Sequence, residues 1–180
     1  MLYNIYMDIF SNGLYGGVAF GRKSKRDYII AFLFGIGPDL LSFGIFFLSV
    51  FIGIDSWPEG NIRPPDAKVI PEYVHILYNF THSFIIYAVF FVLLWWLGKK
   101  SFAYLTLGWP LHILVDIPTH GSGFFPTPFL WPLSDFSING VPWASPLIFI
   151  PNILVLVVLY SYWYVKKRKI LWYVTPNSFL

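Results

Sequence analysis

Apolar residues run along the chain in five long segments, separated by basic clusters and by loops rich in proline and glycine. At ~1.5 Å per residue, the second and third segments are long enough to cross a hydrocarbon core of ~30 Å, whereas the first and fourth are marginal. An open strand in lipid would leave backbone groups without hydrogen bonds, so each segment is predicted to be helical. The segments cover about residues 4–20, 28–53, 73–98, 101–118 and 145–165.

This pattern predicts an all-α fold, a polytopic membrane helical bundle of about five helices. Composition points the same way: hydrophobic residues make up 57% of the chain, charged residues 12% and aromatic residues 22%, and the mean hydropathy is +0.63. The charged fraction is about half that of a soluble domain, so the net charge of +3 does not indicate a nucleic-acid partner. We expect a single integral-membrane domain over residues 1–180.

Basic residues between the segments predict an orientation. They lie in three clusters, at 22–26, 99–100 and 166–169, and five crossings would place all three clusters on one side, leaving Arg63 and Lys68 on the other. The positive-inside rule assigns such clusters to the cytoplasm. We therefore expect a multi-pass protein of a prokaryotic cytoplasmic (inner) membrane, with the N-terminus outside and the C-terminus cytoplasmic.

Polar side chains inside the apolar segments are costly in a bilayer, and by default they mark a functional site. In the fourth segment His112 and Asp116 are i,i+4 neighbours, so both can reach one ion or one hydrogen-bond network. Pro38 precedes Asp39 and predicts a kink, although Asp39 could also be only a helix cap. With the topology above, these groups converge in a cavity that opens away from the cytoplasm. The set comprises Asp8, Asn12, Asp39, His75, Asn79, His82, Ser83, His112 and Asp116.

The chemistry of this set favours a divalent cation. The chain has no cysteine, so a metal must be bound by imidazole and carboxylate groups, with zinc the first choice and manganese or iron as alternatives. The His112 and Asp116 pair could instead be a satisfied polar contact, and His75, near the interface, favours a structural role. Ser83 cannot use His82 as its base, because adjacent residues on a helix face different ways.

Three motifs occur in order: "FLFGIGPDLLSF", "NFTHSF" and "LGWPLHILVDIPTHGSGFFPTPFLWPLSD". They resemble the YdjM-like family of membrane-bound, metal-dependent hydrolases that are described as LexA-binding and inner-membrane-associated. The resemblance implies a metal-dependent hydrolase, and the His-x-x-x-Asp helix is also similar to that of zinc-dependent phospholipase C. The matching positions are Pro38, Asp39, Thr81 to Ser83, Gly108, His112, Asp116, Thr119, His120 and Leu130 to Pro132.

Two positions depart from the family pattern. Asn12 stands where relatives carry an early histidine, and Asp39 is a single carboxylate where many relatives have Pro-Asp-x-Asp. An amide oxygen binds zinc poorly, so the resemblance implies one ion rather than two. Its expected ligands are Asp39, His82, His112 and Asp116.

Catalytic roles are expected for Asp116, with Asp8 or His120 as a reserve ligand or base, and accessory roles for Asn12, Asn79 and Ser83. His120 is expected in the outer loop, because Pro118 should end the fourth helix.

The expected function is hydrolysis of a phosphoester, with a small-molecule or lipid phosphoester as the substrate and membrane lipid as the partner. The alternative is a non-catalytic membrane protein that binds an ion or a lipid headgroup, as a degenerate family member. Nothing in the sequence indicates a surface for docking a repressor.

Overall fold

The computed structural model describes residues 3–58 and 65–174, and it describes side chains from residue 9 to residue 167 within these ranges. All regular elements in this part are helical, which confirms the expected all-α bundle. The α-helices are α1 (Tyr3–Phe20), α2 (Lys25–Asp39), α3 (Ile45–Phe51), α4 (Glu72–Thr81), α5 (Phe84–Trp96), α6 (Lys100–Leu105), α7 (Gly108–Thr119) and α8 (Pro146–Val174).

Two helical stretches of the described residues, Lys25–Phe51 and Pro146–Lys167, are each long and apolar enough to cross a membrane. Helices α4 and α5 reach that length only together, and they are bent by 55° at the break between them. Helix α7 has 12 residues, about 18 Å at ~1.5 Å per residue, which is shorter than the hydrocarbon core. The number of crossings expected from the sequence therefore stays a prediction.

The third and fourth apolar segments are each two helices rather than one. Helix α4 ends at Thr81, and α5 starts after Ser83, whose hydroxyl oxygen accepts hydrogen bonds from the N–H groups of Ile85 and Ile86. Such a cap satisfies backbone donors at a helix start and so stabilises a new helix inside an apolar run. Hydropathy alone does not reveal the break, because apolar residues continue on both sides of it.

Pro38 lies inside α2, and the helix continues through Asp39 into a π-helical turn, Leu40–Gly44, that leads into α3. Proline lacks an N–H and disturbs the preceding turn. The Ser42 hydroxyl donates to the Pro38 carbonyl oxygen over 2.9 Å. The helix type therefore changes beside Asp39, whereas the kink expected at Pro38 stays a prediction. π-Helical turns frequently occur at functional sites.

Glycines bring α1, α2 and α7 into close contact. A Cβ atom on Gly35 would lie 2.5 Å from the Asn12 carbonyl oxygen, and one on Gly108 would lie 2.5 Å from the Ala31 carbonyl oxygen. Real Cβ atoms do not approach this closely, so only glycine allows the backbones to meet, as is common between membrane helices. This packing places the polar faces of the three helices next to one another.

Helix α8 is joined to α1 by polar contacts within an otherwise exposed apolar surface. The Tyr15 hydroxyl donates to Asn152 Oδ1 over 2.7 Å, and Asn152 Nδ2 donates to Ser11 Oγ over 2.8 Å. The exposed residues of α8 are mainly leucine, isoleucine, valine and tyrosine, the composition of a lipid-facing surface. The hydrogen bonds therefore attach a largely lipid-exposed helix to the bundle.

Candidate metal centre

Four ionisable side chains meet in the interior of the bundle: Asp39, His82, His112 and Asp116. Asp39 ends α2, His82 lies at the break between α4 and α5, and the other two are on successive turns of α7. One ligand atom from each residue lies within 4.8 Å of those from the other three. The structure thus brings together the full set of ligands expected from the sequence.

One oxygen of the Asp116 carboxylate lies close to both imidazole rings. This Oδ2 atom is 3.0 Å from His112 Nε2 and 3.3 Å from His82 Nε2. The Nε2 atoms of His82 and His112 are 3.1 Å apart, and Asp39 Oδ1 is 3.5 Å from His82 Nε2. The side chains of His82, His112 and Asp116 are completely buried, and that of Asp39 is 10% exposed.

Backbone carbonyl groups determine which nitrogen of each imidazole carries a proton. His112 Nδ1 is 2.7 Å from the Gly35 carbonyl oxygen, and His82 Nδ1 is 3.0 Å from the Tyr78 carbonyl oxygen. A carbonyl oxygen can only accept, so each Nδ1 is the donor and the Nε2 atom of a neutral ring presents a lone pair. Histidines that bind metals are commonly oriented by such a bond from their other nitrogen.

The donor set and its spacing fit one divalent cation. Two carboxylates and two Nε2 lone pairs facing one another in a buried site need added positive charge, either protons on the rings or a cation. Asp116 Oδ2 has no hydrogen-bond donor among the described residues. Tetrahedral bonds of ~2.0–2.2 Å place ligand atoms about 3.4 Å apart. The four distances given above are close to this value, and Asp39 Oδ1 is 3.9 Å from His112 Nε2. The cluster could therefore hold a metal ion.

Asn12 contacts the cluster through Asp116. It is fully buried on α1, and its Nδ2 donates to Asp116 Oδ1 over 3.0 Å. This hydrogen bond leaves Asp116 Oδ2 facing the imidazole rings. The Asn12 Oδ1 atom has no hydrogen-bond partner in the described part of the chain. Asn12 thus orients the Asp116 carboxylate.

His120 lies at the edge of the cluster. Helix α7 continues through Pro118 to Thr119, so Pro118 does not end it, and His120 is the first residue after the helix. Its Nδ1 is 3.9 Å from Asp116 Oδ2, and its side chain is 16% exposed. His120 Nδ1 also lies 3.3 Å from the Asp116 carbonyl oxygen. His120 therefore borders the cluster and is partly exposed, while His82, His112 and Asp116 are enclosed.

The other expected site residues do not join the four ligands. Ser83 caps α5 and donates a hydrogen bond to the Trp131 carbonyl oxygen, which is a structural role. Asn79 is partly exposed on α4, and no described hydrogen bond links it to the cluster. The side chain of Asp8 lies outside the described residues. His75 Nε2 is 2.9 Å from the Ala67 carbonyl oxygen, away from the four ligands.

Two groups that contact the cluster were not predicted from the sequence, namely Tyr78 and the Gly35 carbonyl. The Tyr78 ring stacks on that of His82 with 3.8 Å between ring centroids. Tyr78 precedes His82 by four residues, a spacing that places side chains together on a helix, so the signal was present. The Gly35 carbonyl could not have been found, because its role depends on how α2 packs against α7.

Comparisons with known proteins identify a family. A search of the curated proteins and a search of the solved structures each gave no match. The family model described as YdjM inner membrane protein matches residues 12–179, a range that contains Asn12 and all four clustered residues. Together with the apolar helices, this match supports a location in the membrane. The chain therefore belongs to the YdjM inner membrane protein family.

Proposed function

We propose that the protein is a membrane-embedded, metal-dependent hydrolase that acts on a phosphoester such as a lipid phosphate. The observation that carries the proposal is the arrangement of His82 and His112, whose Nδ1 atoms bond to backbone carbonyls while their Nε2 atoms face two carboxylates. The His-x-x-x-Asp spacing on α7, which resembles that of zinc-dependent phospholipase C, supports phosphoester chemistry. Zinc is the preferred ion, and manganese or iron would suit the same ligands.

Asp39, His82, His112 and Asp116 would hold the divalent cation, which would supply Lewis acidity to polarise a phosphoryl oxygen and to make a water molecule more acidic. The protein contributes orientation and proton transfer. Asp116 Oδ1 is held by the Asn12 amide, so the carboxylate keeps one direction. In this proposal His120, at the edge of the cluster, accepts the proton of the attacking water and later donates it to the leaving oxygen.

The proposed site opens to the extracytoplasmic side of the membrane. This part of the proposal rests on the three basic clusters that the positive-inside rule assigns to the cytoplasm. In that orientation His120 and the 121–144 loop lie outside, close to the level of lipid headgroups. A phosphate attached to a lipid could then reach the edge of the cluster without leaving the membrane surface.

A second function is supported by the depth of the cluster. His82, His112 and Asp116 are 0% exposed, and Asn12 replaces a family histidine that could contribute to a second metal site. Both features favour a protein that binds an ion, or a lipid headgroup through that ion, without turnover. In this alternative the cation stabilises the bundle, and His120 does not transfer a proton.

Metal analysis of the detergent-purified protein tests the metal site. The wild type is expected to contain about one equivalent of zinc or a similar ion, and His112→Ala and Asp116→Ala are expected to lose it. Asp66→Ala is the matched control for Asp116→Ala, because Asp66 is exposed, lies outside the cluster and accepts a hydrogen bond from the nearby Lys68 N–H, so its substitution should leave the metal content unchanged. Folded wild-type protein that binds no metal after incubation with zinc, manganese or iron would contradict the proposal.

Phosphate release from vesicles that contain phosphatidate or an isoprenoid phosphate distinguishes the two functions. A hydrolase releases phosphate, and a chelator or His120→Ala suppresses the release. A metal-loaded protein that releases none from either lipid is the result expected of the non-catalytic alternative.

A further inference from the structure

Tyr78 restrains the imidazole of His82 in two ways. Its ring lies parallel to the imidazole, with centroids 3.8 Å apart and planes inclined by 20°. Its carbonyl oxygen accepts the proton of His82 Nδ1 over 3.0 Å. Tyr78 is 1% exposed, so neighbouring atoms confine its own side chain. One residue therefore limits both the tilt of the His82 ring and the direction of its Nε2 atom.

The loop after α7 holds Tyr78 in turn. The Tyr78 hydroxyl donates to the Phe125 carbonyl oxygen over 2.9 Å, and the two rings meet edge to face with centroids 5.1 Å apart. Phe125 is buried and has a φ of 46°, in the left-handed region that a bulky residue seldom occupies. Such a conformation persists only where the surroundings impose it. The contact with Tyr78 is thus part of a tightly determined loop.

The same loop also binds the chain on the other side of His82. The Phe84 N–H donates to the Phe129 carbonyl oxygen over 3.0 Å, and the Ser83 hydroxyl donates to the Trp131 carbonyl oxygen. His82 itself is outside both helices, with φ and ψ of −102° and 25°. The His82 N–H still donates to the Tyr78 carbonyl oxygen, as the last helical bond of α4. The 125–131 loop therefore contacts the chain on both sides of His82, through the Tyr78 side chain before it and through Ser83 and Phe84 after it.

We propose that Tyr78 is the positioning residue for His82, and that the 125–131 loop sets the metal affinity of the centre by holding Tyr78 in place. The inference rests on the proposed metal site. It adds that residues which do not bind the metal themselves determine how tightly the site binds it. A ligand held in its binding orientation loses little freedom when the ion arrives, whereas a mobile ligand must be ordered at that moment.

The test compares Tyr78→Phe with Tyr87→Phe. Each substitution removes one buried hydroxyl that has a partner, since the Tyr87 hydroxyl lies 3.2 Å from Thr106 Oγ1, but only Tyr78 contacts a proposed ligand. Zinc affinity is measured by competition with a chromogenic chelator, the ligand geometry by visible absorption of the Co²⁺-loaded protein, and stability by thermal unfolding of the metal-free protein. All three are measured on the full chain in detergent.

We expect Tyr78→Phe to weaken zinc binding about tenfold, the lower end of the effect of removing a group that orients a metal ligand, and to shift the Co²⁺ absorption bands. Tyr87→Phe should lower the unfolding temperature of the metal-free protein about as much as Tyr78→Phe does. It should leave the zinc affinity and the Co²⁺ spectrum unchanged. A folded Tyr78→Phe protein with wild-type affinity and spectrum would overturn the inference while leaving the metal site standing.

A failure of the proposed function can be distinguished from a failure of this inference. Wild-type protein without zinc affinity would overturn the proposed function, and this inference with it. If Tyr78→Phe does not fold, Phe125→Leu replaces it, because that substitution keeps the carbonyl acceptor and removes the ring, which contacts Tyr78 and also packs on His75 and Phe43. We then expect a smaller loss of affinity in the same direction, and wild-type affinity in folded Phe125→Leu would overturn the inference.

Discussion

Asn12 and Asp116, 104 positions apart in the chain, share a buried hydrogen bond of 3.0 Å in which the amide donates to the carboxylate. The bond crosses from α1 to α7 and fixes the Asp116 oxygen that faces away from the two imidazole rings. Asn12, where the sequence resemblance led us to expect a histidine in relatives, therefore serves here as a donor to a proposed ligand. This difference suits a centre with one ion.

Asn12→Ala removes this donor and leaves Asp116 Oδ1 buried without a partner. An unpaired buried acceptor costs about 1–3 kcal/mol, so we expect a loss of that size in the free energy of unfolding, measured by denaturant titration in detergent. Asn139→Ala is the control, because the Asn139 side chain accepts a bond from the Ser122 N–H in an exposed loop. Equal losses in the two variants would contradict the role of Asn12.

Gly35 and Gly37 lie two residues apart on α2 and should respond in opposite ways to alanine. A Cβ on Gly35 would lie 2.5 Å from the Asn12 carbonyl oxygen, whereas one on Gly37 would meet nothing within 4 Å. Gly35→Ala should destabilise by about 1–3 kcal/mol through overpacking, and it should weaken zinc binding because the Gly35 carbonyl orients His112. Gly37→Ala should be neutral or stabilising by about 0.5–1 kcal/mol. If Gly35→Ala unfolds and binds zinc like the wild type, α2 can move away from α1 without cost, and the prediction is wrong.

Asp55, beyond the end of α3, accepts hydrogen bonds from the hydroxyls of Ser49 and Tyr73. These bonds favour the ionised carboxyl and lower the pKa of Asp55 below its ordinary value of 3.8. A carboxyl whose pKa is lowered by folding stabilises the folded protein at any pH above the pKa it has in the unfolded chain. This stabilisation is lost as the pH falls through the lower pKa of the folded state. We expect Ser49→Ala to raise the pKa of Asp55 toward 3.8, as followed by carboxyl NMR shifts. An unchanged titration would rule out Ser49 as the cause.

The proposed orientation can be tested by cysteine labelling, since the chain contains no cysteine of its own. Ser101→Cys follows the second basic cluster and should react with a membrane-impermeant maleimide only after the cells are opened. Ser122→Cys, in the loop after α7, should react in intact cells. Both serines are exposed, so accessibility is matched. Labelling of both positions from one side would refute the five-crossing arrangement.

The sequence predicted an all-helical bundle and the identities of the clustered residues, because both follow from local patterns. The third and fourth apolar segments were each predicted as one helix, and each is two helices. His112 and Asp116 are four residues apart, and helical geometry alone brings them together. Asp39 and His82 were included because ionisable groups are rare within apolar segments. The break after His82 was missed, since the bonds that support it come from Phe129 and Trp131, far along the chain.

The sequence by itself determined that the protein is an all-helical membrane protein without thiol ligands. Long apolar segments favour membrane helices locally, and the chain contains no cysteine. Only the tertiary structure decided that Nδ1 of His112 bonds to Gly35 and that Asn12 reaches Asp116. Those contacts require glycines that let α1, α2 and α7 approach to backbone distance. Directional hydrogen bonds between distant segments are satisfied only after the helices pack, so local patterns cannot specify them.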